Sequence, residues 1–275
     1  MIKEAIKKAV EGIDLTGEEA ARVMETIMTG EATDAQIGGF LLAMRLKGET
    51  VDEIVSFTRI MREKATRIDA GSLDVLDTCG TGGDGAGTFN ISTISAFVAA
   101  GAGITVAKHG NRSVSSKCGS ADVLRELGVN IDIPPDRISG CLKEVGIAFL
   151  FAPKLHASMK YAIGPRRELG VRSFFNILGP MTNPAGANRQ LLGVYSEKLV
   201  ETVANVLAGL GCKRAFVVHG HDGLDEISTT DDTTVGEVID GTVKVGRINP
   251  EEFGIEKASP EDLKVSTVLE NTKIF

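Results

Sequence analysis

The run Gly80-Thr81-Gly82-Gly83-Asp84-Gly85-Ala86-Gly87-Thr88 lies between a short apolar stretch and a helix-like segment that begins near Asn90-Ile91-Ser92-Thr93. Strand, glycine-rich loop and helix N-terminus together make an anion cradle. Glycines let backbone N–H groups close on phosphate oxygens, and the helix dipole favours a negative group there by about 0.3–1 kcal/mol. A plain strand-to-helix turn needs far fewer glycines. Two familiar phosphate loops can be tested against this run. Gly80-x-Gly82-x-x-Gly85 has the spacing of the dinucleotide fingerprint, but that fingerprint needs an acidic residue about 20 positions on, at the end of the next strand. Lys108-His109 stand there instead. A P-loop needs Gly-Lys-Ser/Thr, and no lysine lies between Lys64 and Lys108.

A second loop, Lys108-His109-Gly110-Asn111-Arg112-Ser113-Val114-Ser115-Ser116-Lys117-Cys118-Gly119-Ser120, follows the next apolar run. Its cations and serine hydroxyls suit a polyanion that carries both a phosphate and a pyrophosphate, since Lys and Arg supply charge and hydroxyls supply directed donors. The third feature is Asp225-Glu226, in His219-Gly220-His221-Asp222-Gly223-Leu224-Asp225-Glu226-Ile227-Ser228. Adjacent carboxylates suit Mg²⁺, which takes one or two protein carboxylates and completes its shell with water and substrate phosphates. On charge alone a solvated acidic turn would be the better reading; a place on the same sheet edge as the two phosphate loops reverses that. His219-x-His221 lacks a third ligand nearby, so zinc is a poor fit and His219 reads as a supporting residue. The pattern around Arg166 decides nothing by itself; a carboxylate substrate would give it a bidentate partner.

The elements that must hold these groups follow from periodicity. The first ~65 residues read as helices, with capping boxes Thr16-x-x-Glu19, Thr33-x-x-Gln36 and Thr50-x-x-Glu53 ahead of apolar residues at helical spacing. Val51, Ile54, Val55, Thr58 and Met61 form one stripe that needs a partner. From Leu73 onward short apolar runs (75–76, 104–106, 147–151, 191–195 and 215–218) alternate with helix-like segments such as 121–127, 136–145 and 197–210. Such alternation predicts a mostly parallel α/β sheet whose strand C-termini share one edge, where the motif loops should gather. Asp240-Gly241 between two apolar runs predicts a type I′ hairpin, and Ser259-Pro260-Glu261-Asp262 predicts the start of a final helix.

Composition excludes other classes. A formal net charge of −7 offers no basic surface for nucleic acid, and aromatics at 5% with no Trp disfavour a base-stacking platform. Cys79, Cys118, Cys141 and Cys212 form no CxxC pair, no apolar run is long enough for a membrane span, and no signal peptide follows Met1-Ile2-Lys3-Glu4; a cytoplasmic protein with free thiols is expected.

Five motifs in order, Cys79-Gly80-Thr81-Gly82-Gly83-Asp84, Asn90-Ile91-Ser92-Thr93, Lys108-His109-Gly110-Asn111-Arg112-Ser113, Phe175-Asn176-Ile177-Leu178-Gly179-Pro180-Met181-Thr182-Asn183-Pro184 and Asp225-Glu226, resemble those of the anthranilate phosphoribosyltransferases. That resemblance implies a small N-terminal all-helical domain over residues 1–68, joined by a helical segment around 165–185. Beside it comes a larger α/β domain over 69–275 with a mostly parallel central sheet, of the nucleoside phosphorylase/phosphoribosyltransferase type. It implies transfer of the phosphoribosyl group of phosphoribosyl pyrophosphate to anthranilate, the second step of tryptophan synthesis from chorismate, by a cytoplasmic homodimer paired through the helical domain. Gly80, Gly83, Asp84, Thr88, Asn90, Ile91, Ser92, Thr93, Lys108, His109, Gly110, Asn111, Arg112, Ser113, Val114, Ser115, Ser116 and Ser120 would hold phosphoribosyl pyrophosphate. Ser92, Asp225 and Glu226 would hold Mg²⁺, two ions per site, and Gly80, His109, Asn111 and Arg166 would contact anthranilate. No residue is assigned as general acid or base. A pyrimidine-type nucleoside phosphorylase of the same fold and a non-catalytic nucleic-acid-binding member are the alternatives. Lys108-His109-Gly110-Asn111 resembles the transferase motif rather than the first, and the net charge disfavours the second. Family members continue past the position of Phe275 through helices that finish the α/β domain, so exposed apolar sheet surface, with association or low stability, is expected of this chain.

Overall fold

Helix starts in the first part of the chain are set by side chains. In the computed structural model, which describes residues 1–112, 118–265 and 267–275, the chain opens with α1 (Ile2–Val10), α2 (Gly17–Met28), α3 (Asp34–Lys47) and α4 (Val51–Lys64). Thr16, Thr33 and Thr50 cap α2, α3 and α4, each accepting the N–H of the third helical residue, and Glu19, Gln36 and Glu53 return the bond. The last of these boxes is also a core device. Buried Glu53 accepts the Leu15 N–H at 2.8 Å, the Thr50 N–H at 2.8 Å and Lys47 Nζ at 2.9 Å, so its charge is fully engaged, as a buried carboxylate requires.

Further along come β1 (Leu76–Gly80), α5 (Ile91–Gly101), β2 (Val106–Gly110), α6 (Ser120–Glu126), α7 (Pro135–Glu144) and β3 (Ile147–Phe151). Three helices follow, α8 (Ala152–Leu155), α9 (Lys160–Leu169) and α10 (Phe175–Leu178), then β4 (Arg189–Gly193), α11 (Lys198–Gly209), β5 (Arg214–Gly220), β6 (Thr233–Ile239), β7 (Thr242–Ile248) and α12 (Val268–Thr272). The chain divides into two compact units, Met1–Thr66 with Pro153–Thr182, and Arg67–Ala152 with Asn183–Phe275.

The first unit is helical. Its core brings Phe57 and Phe174 into a stack at 4.6 Å with Phe40 edge-on to both, and Arg62 Nε donates to the Met181 carbonyl at 2.8 Å. The second unit is a seven-stranded sheet in the order β3-β2-β1-β4-β5-β6-β7. β1 to β5 pair in parallel, while β6 and β7 run antiparallel. From β1 the chain steps outward to β2 and β3, then resumes on the other side of β1 with β4. That reversal makes a topological switch point at β1 and β4, and ligands of open α/β sheets bind outside the strand C-termini at such a point. Phe216 and Ile239 on β5 and β6 are among the exposed apolar side chains of this unit. All four cysteines are free thiols, and among the described residues no helix is long and apolar enough to cross a membrane.

Two local expectations are corrected. The second strand runs to Gly110, so Lys108 and His109, which the sequence put at the strand end and also counted with the basic loop, are strand residues and not part of that loop. They pair with Phe149 and Leu150 of β3 and are buried, because β2 has β1 on one side and β3 on the other. The segment after Ser259 makes only a 3-10 turn, Pro260–Leu263. The Ser259 cap and the proline are in place, but Lys264 turns extended to bridge Thr88, and the helix itself begins later at the Thr267 cap.

The hairpin joining β6 to β7 has Asp240 at φ 45° and Gly241 at φ 82°, the two positive values a type I′ turn demands. Gly241→Ala is expected to lower the unfolding free energy by about 1–2 kcal/mol, read as a lower urea midpoint at unchanged slope.

Candidate functional site

β1, β2, β4 and β5 each end in a glycine, Gly80, Gly110, Gly193 and Gly220. At every one of them a Cβ would collide with a group that crosses the strand end. Two of the collisions involve Asp225: a Cβ on Gly193 would stand 1.5 Å from its carbonyl oxygen, and one on Gly80 would stand 2.6 Å from its Oδ2. The loop after β5 can therefore lie across β4 and β1 only because neither strand end carries a side chain. That loop is itself tightly folded. His221 N–H donates to the Asp232 carbonyl at 2.8 Å, Gly220 N–H donates to the Leu224 carbonyl at 2.9 Å, and the Asp222 carboxylate accepts the hydroxyls of Ser228 and Thr230.

The glycine loop meets it from the other side. Gly82, Gly83, Gly85 and Gly87 all have positive φ, a backbone that side-chain-bearing residues adopt only at a cost. Thr81 N–H donates to the Gly193 carbonyl at 2.9 Å, its hydroxyl accepts the Tyr195 N–H at 3.0 Å, and Gly82 N–H donates to Asp225 Oδ2 at 2.7 Å. Lys108, only 3% exposed, extends from β2 to donate to the Thr78 carbonyl and to Ser92 Oγ. On the neighbouring strand the buried carboxylate of Asp77 accepts the His109 N–H at 3.0 Å.

Charge is unevenly matched here. Burial pushes Asp225 up to about 6, with Asp84 adding to the rise, and pushes Glu226 up to about 8, with Asp225 and Asp84 adding and Lys108 and the Ser92 backbone N–H opposing. Asp77 is raised to about 6 by burial, against the pull of Asn183, Lys108 and the His109 N–H. Lys108 is held below the usual lysine range by burial, with Asp77, Cys79 and Glu226 opposing. Asp84, Asp225 and Glu226 thus lie close enough together for their charges to interact, with Lys108 beside Glu226. Such a surplus favours a divalent cation. The donors are hard oxygens, and among the described residues no group of three His, Cys, Asp or Glu side chains could by itself hold a metal ion; the set fits Mg²⁺, which draws the rest of its shell from water and phosphate.

The remaining expected residues fall in two places. In the α/β unit, Gly83, Asp84 and Thr88 lie on the glycine loop, Asn90 caps α5, and Ile91, Ser92 and Thr93 form its first turn. Thr93 Oγ1 donates to Asn90 Oδ1 at 2.5 Å. Gly110 ends β2. The Asn111 carbonyl accepts Ser120 Oγ at 3.2 Å and the Ala121 N–H at 3.3 Å, so the two ends of the basic loop are joined. Arg112 lies over the Phe151 ring at 5.8 Å. Ser113, Val114, Ser115 and Ser116 lie outside the described residues. Arg166 is in the helical unit on α9, 5.0 Å from the centroid of the Phe175 ring and held below the usual arginine range by burial. His219 Nδ1 pairs with the Val194 carbonyl at 2.8 Å and His221 Nε2 with Thr234 Oγ1 at 2.9 Å, two separate partners rather than one metal. Gly193 and Asp77 were not singled out by sequence. A glycine inside an apolar run, and an acid directly after one, were the available signals.

These raised carboxylates make the metal-free fold pH-sensitive. Glu226 rises from 4.5 to about 8 in the fold, so the stability it contributes is complete below about pH 4.5 and is lost as the pH climbs through about 8. Glu226→Gln should flatten the fall of Tm across that window in a chelator-treated sample. An unchanged slope would contradict the buried charge.

The chain is similar to known proteins in sequence and in fold. The chain matches the helical bundle domain of the glycosyl transferase family over residues 3–65 and the a/b domain of that family over residues 72–275. The anthranilate phosphoribosyltransferase of Pelotomaculum thermopropionicum is 61% identical over 274 residues, an alignment that takes in 100% of this chain and 79% of the relative. That of Moorella thermoacetica is 56% identical, with 100% of this chain and 81% of the relative covered. Among solved structures, anthranilate phosphoribosyltransferase from Thermus thermophilus superposes with a TM-score of 0.93 at 44% identity, covering 98% of this chain and 80% of that one. The Saccharomyces cerevisiae enzyme in complex with PRPP and Mg superposes at 0.89 and 27% identity, covering 99% of this chain and 79% of that one. With both domains matched and more than half of all positions identical to the two bacterial relatives along its whole length, the chain belongs to the anthranilate phosphoribosyltransferase family.

Proposed function

We propose that this chain transfers the phosphoribosyl group of phosphoribosyl pyrophosphate to anthranilate, releasing pyrophosphate and N-(5-phosphoribosyl)anthranilate. One observation carries the reading: a glycine cradle, a buried lysine and a surplus of carboxylates converge at the C-terminal edge of β1, β2, β4 and β5. A pyrophosphate donor escorted by a divalent cation satisfies all of them together.

In this reading Ser92, Asp225 and Glu226 hold two Mg²⁺ ions, which when bound supply positive charge to the pyrophosphate as it departs. Backbone N–H groups of the glycine loop hold phosphate oxygens, with Gly80, Gly83, Asp84, Thr88 and Asn90 to Thr93 lining the donor and Lys108, Asn111, Arg112 and the serines of the basic loop completing the set. The bond from the anomeric carbon to the pyrophosphate oxygen breaks as the bond to the anthranilate nitrogen forms, through an oxocarbenium-like state. The arylamine is already a nucleophile and gives up its proton after attack, so no side chain need act as base; positioning and electrostatics supply the rate. In the helical unit Arg166 is the proposed partner of a carboxylate, which it would take in a bidentate fork; in the α/β unit Gly80, His109 and Asn111 are the proposed acceptor contacts. The chain works as a cytoplasmic homodimer paired through its helical unit.

Pyrophosphate release should require both Mg²⁺ and anthranilate and should run in step with the loss of anthranilate fluorescence; release without anthranilate would contradict the assignment. Arg166→Ala should raise the KM for anthranilate about tenfold or more and leave the KM for phosphoribosyl pyrophosphate within a factor of about two. Equal rises in both would remove Arg166 from the acceptor site.

A further inference from the structure

Residues distant in sequence from every motif above hold the far end of the glycine loop. Phe89 N–H donates to the Leu263 carbonyl at 2.9 Å, Val265 N–H donates to the Gly87 carbonyl at 3.0 Å, and Thr88 and Lys264 form an antiparallel bridge between these two bonds. Next in line, Asn90 N–H donates to Asn271 Oδ1 at 2.7 Å. Each residue from 87 to 90 is thereby fixed by the segment that ends in α12. Asn271 is only 1% exposed, and its helix is held by the Thr267–Glu270 capping box and by Phe275, which meets Phe97 of α5 edge-on at 5.8 Å.

We infer that Asn271 is a positioning residue for the phosphoribosyl pyrophosphate site, acting through the main chain of Asn90; this rests on the function proposed above. The reasoning is geometric. Asn90 is the hinge between cradle and helix: its backbone carbonyl accepts the Thr93 and Ile94 N–H groups, its Oδ1 accepts the Thr93 hydroxyl, and its Nδ2 donates to the Cys118 carbonyl at 3.4 Å, beyond the basic loop. By fixing the Phe89–Asn90 peptide, Asn271 Oδ1 sets the direction in which α5 leaves the loop. It therefore sets where the Ser92 side chain faces. A buried N–H left without its acceptor must find another, and the peptide that carries it turns.

The test uses the 275-residue chain with its own acceptor-deleted and acceptor-retaining variants, Asn271→Leu and Asn271→Asp. Binding of phosphoribosyl pyrophosphate with Mg²⁺ is measured by calorimetry, anthranilate KM by steady-state kinetics and Tm by scanning. Asn271→Leu is expected to weaken phosphoribosyl pyrophosphate binding about tenfold, the loss of one buried acceptor, with anthranilate KM within a factor of about two. Asn271→Asp, which keeps an acceptor oxygen, is expected to restore most of that affinity. If Asn271→Leu does not fold, Asn271→Ala takes its place with the same expectation. Undiminished binding by the acceptor-deleted variant would overturn the inference, as would a Tm loss with both substrates' parameters unchanged, or equal losses in the Leu and Asp variants. Wild-type protein that binds no phosphoribosyl pyrophosphate would overturn the functional reading itself and this inference with it.

Discussion

Asp225 lies where two parallel strands, β4 and β1, end in glycine, and the site depends on that contact. Backbone packs against Gly193 and carboxylate against Gly80, while the same carboxylate accepts a glycine-loop N–H. Three chain segments, the ends of β1 and β4 and the loop after β5, are locked together at one point. Placing any side chain at Gly193 would displace the carbonyl of Asp225 and with it the adjoining Glu226. The parallel register makes the contact possible: Gly80 stands opposite Gly193, so both strands stop at the same level and leave a notch for the loop.

Electrostatically the notch is unfavourable as it stands. Carboxylates in a poorly solvated place repel one another and resist ionisation, and a single lysine, itself disfavoured by burial, does not balance them. Folding tolerates this because the rest of the α/β unit is ordinary close-packed sheet and helix, and because a ligand that binds only the native state returns stability by mass action. A divalent cation held by these carboxylates would relieve their repulsion and add to the stability of the native state.

Much of this was legible in sequence because it is local. The Thr16, Thr33 and Thr50 boxes, the Asp240-Gly241 turn and the alternation of short apolar runs with helical stretches each depend on a few neighbouring residues, and each has its counterpart in the fold. What stayed hidden is non-local. Lys108 and His109 could be counted with the strand end or with the loop after it, because charged side chains seldom lie mid-sheet; the flanking of β2 by β1 and β3, with Ser92 and the Thr78 carbonyl accepting from the ammonium, makes the strand tolerable there. The turn at Ser259 carried good helix-start chemistry, yet pairing with the glycine loop competed for the backbone and won. The roles of Gly193 and Asn271 cannot be read locally, since their partners lie 32 and 181 residues away.

The net charge of −7 poses a last physical question: how an acidic chain attracts a strongly anionic ligand. Bulk attraction is not available, and at physiological salt the field of distant charges is screened within about 8 Å in any case. Recognition must then be local, through directed donors and a counter-cation. Both are what the strand ends provide: N–H groups turned by positive-φ glycines, a lysine fixed by two acceptors, and carboxylates whose surplus charge favours a divalent ion arriving with the substrate. In the function proposed here the acidic pair would serve recognition of an anion, by holding a divalent cation that supplies the opposite charge.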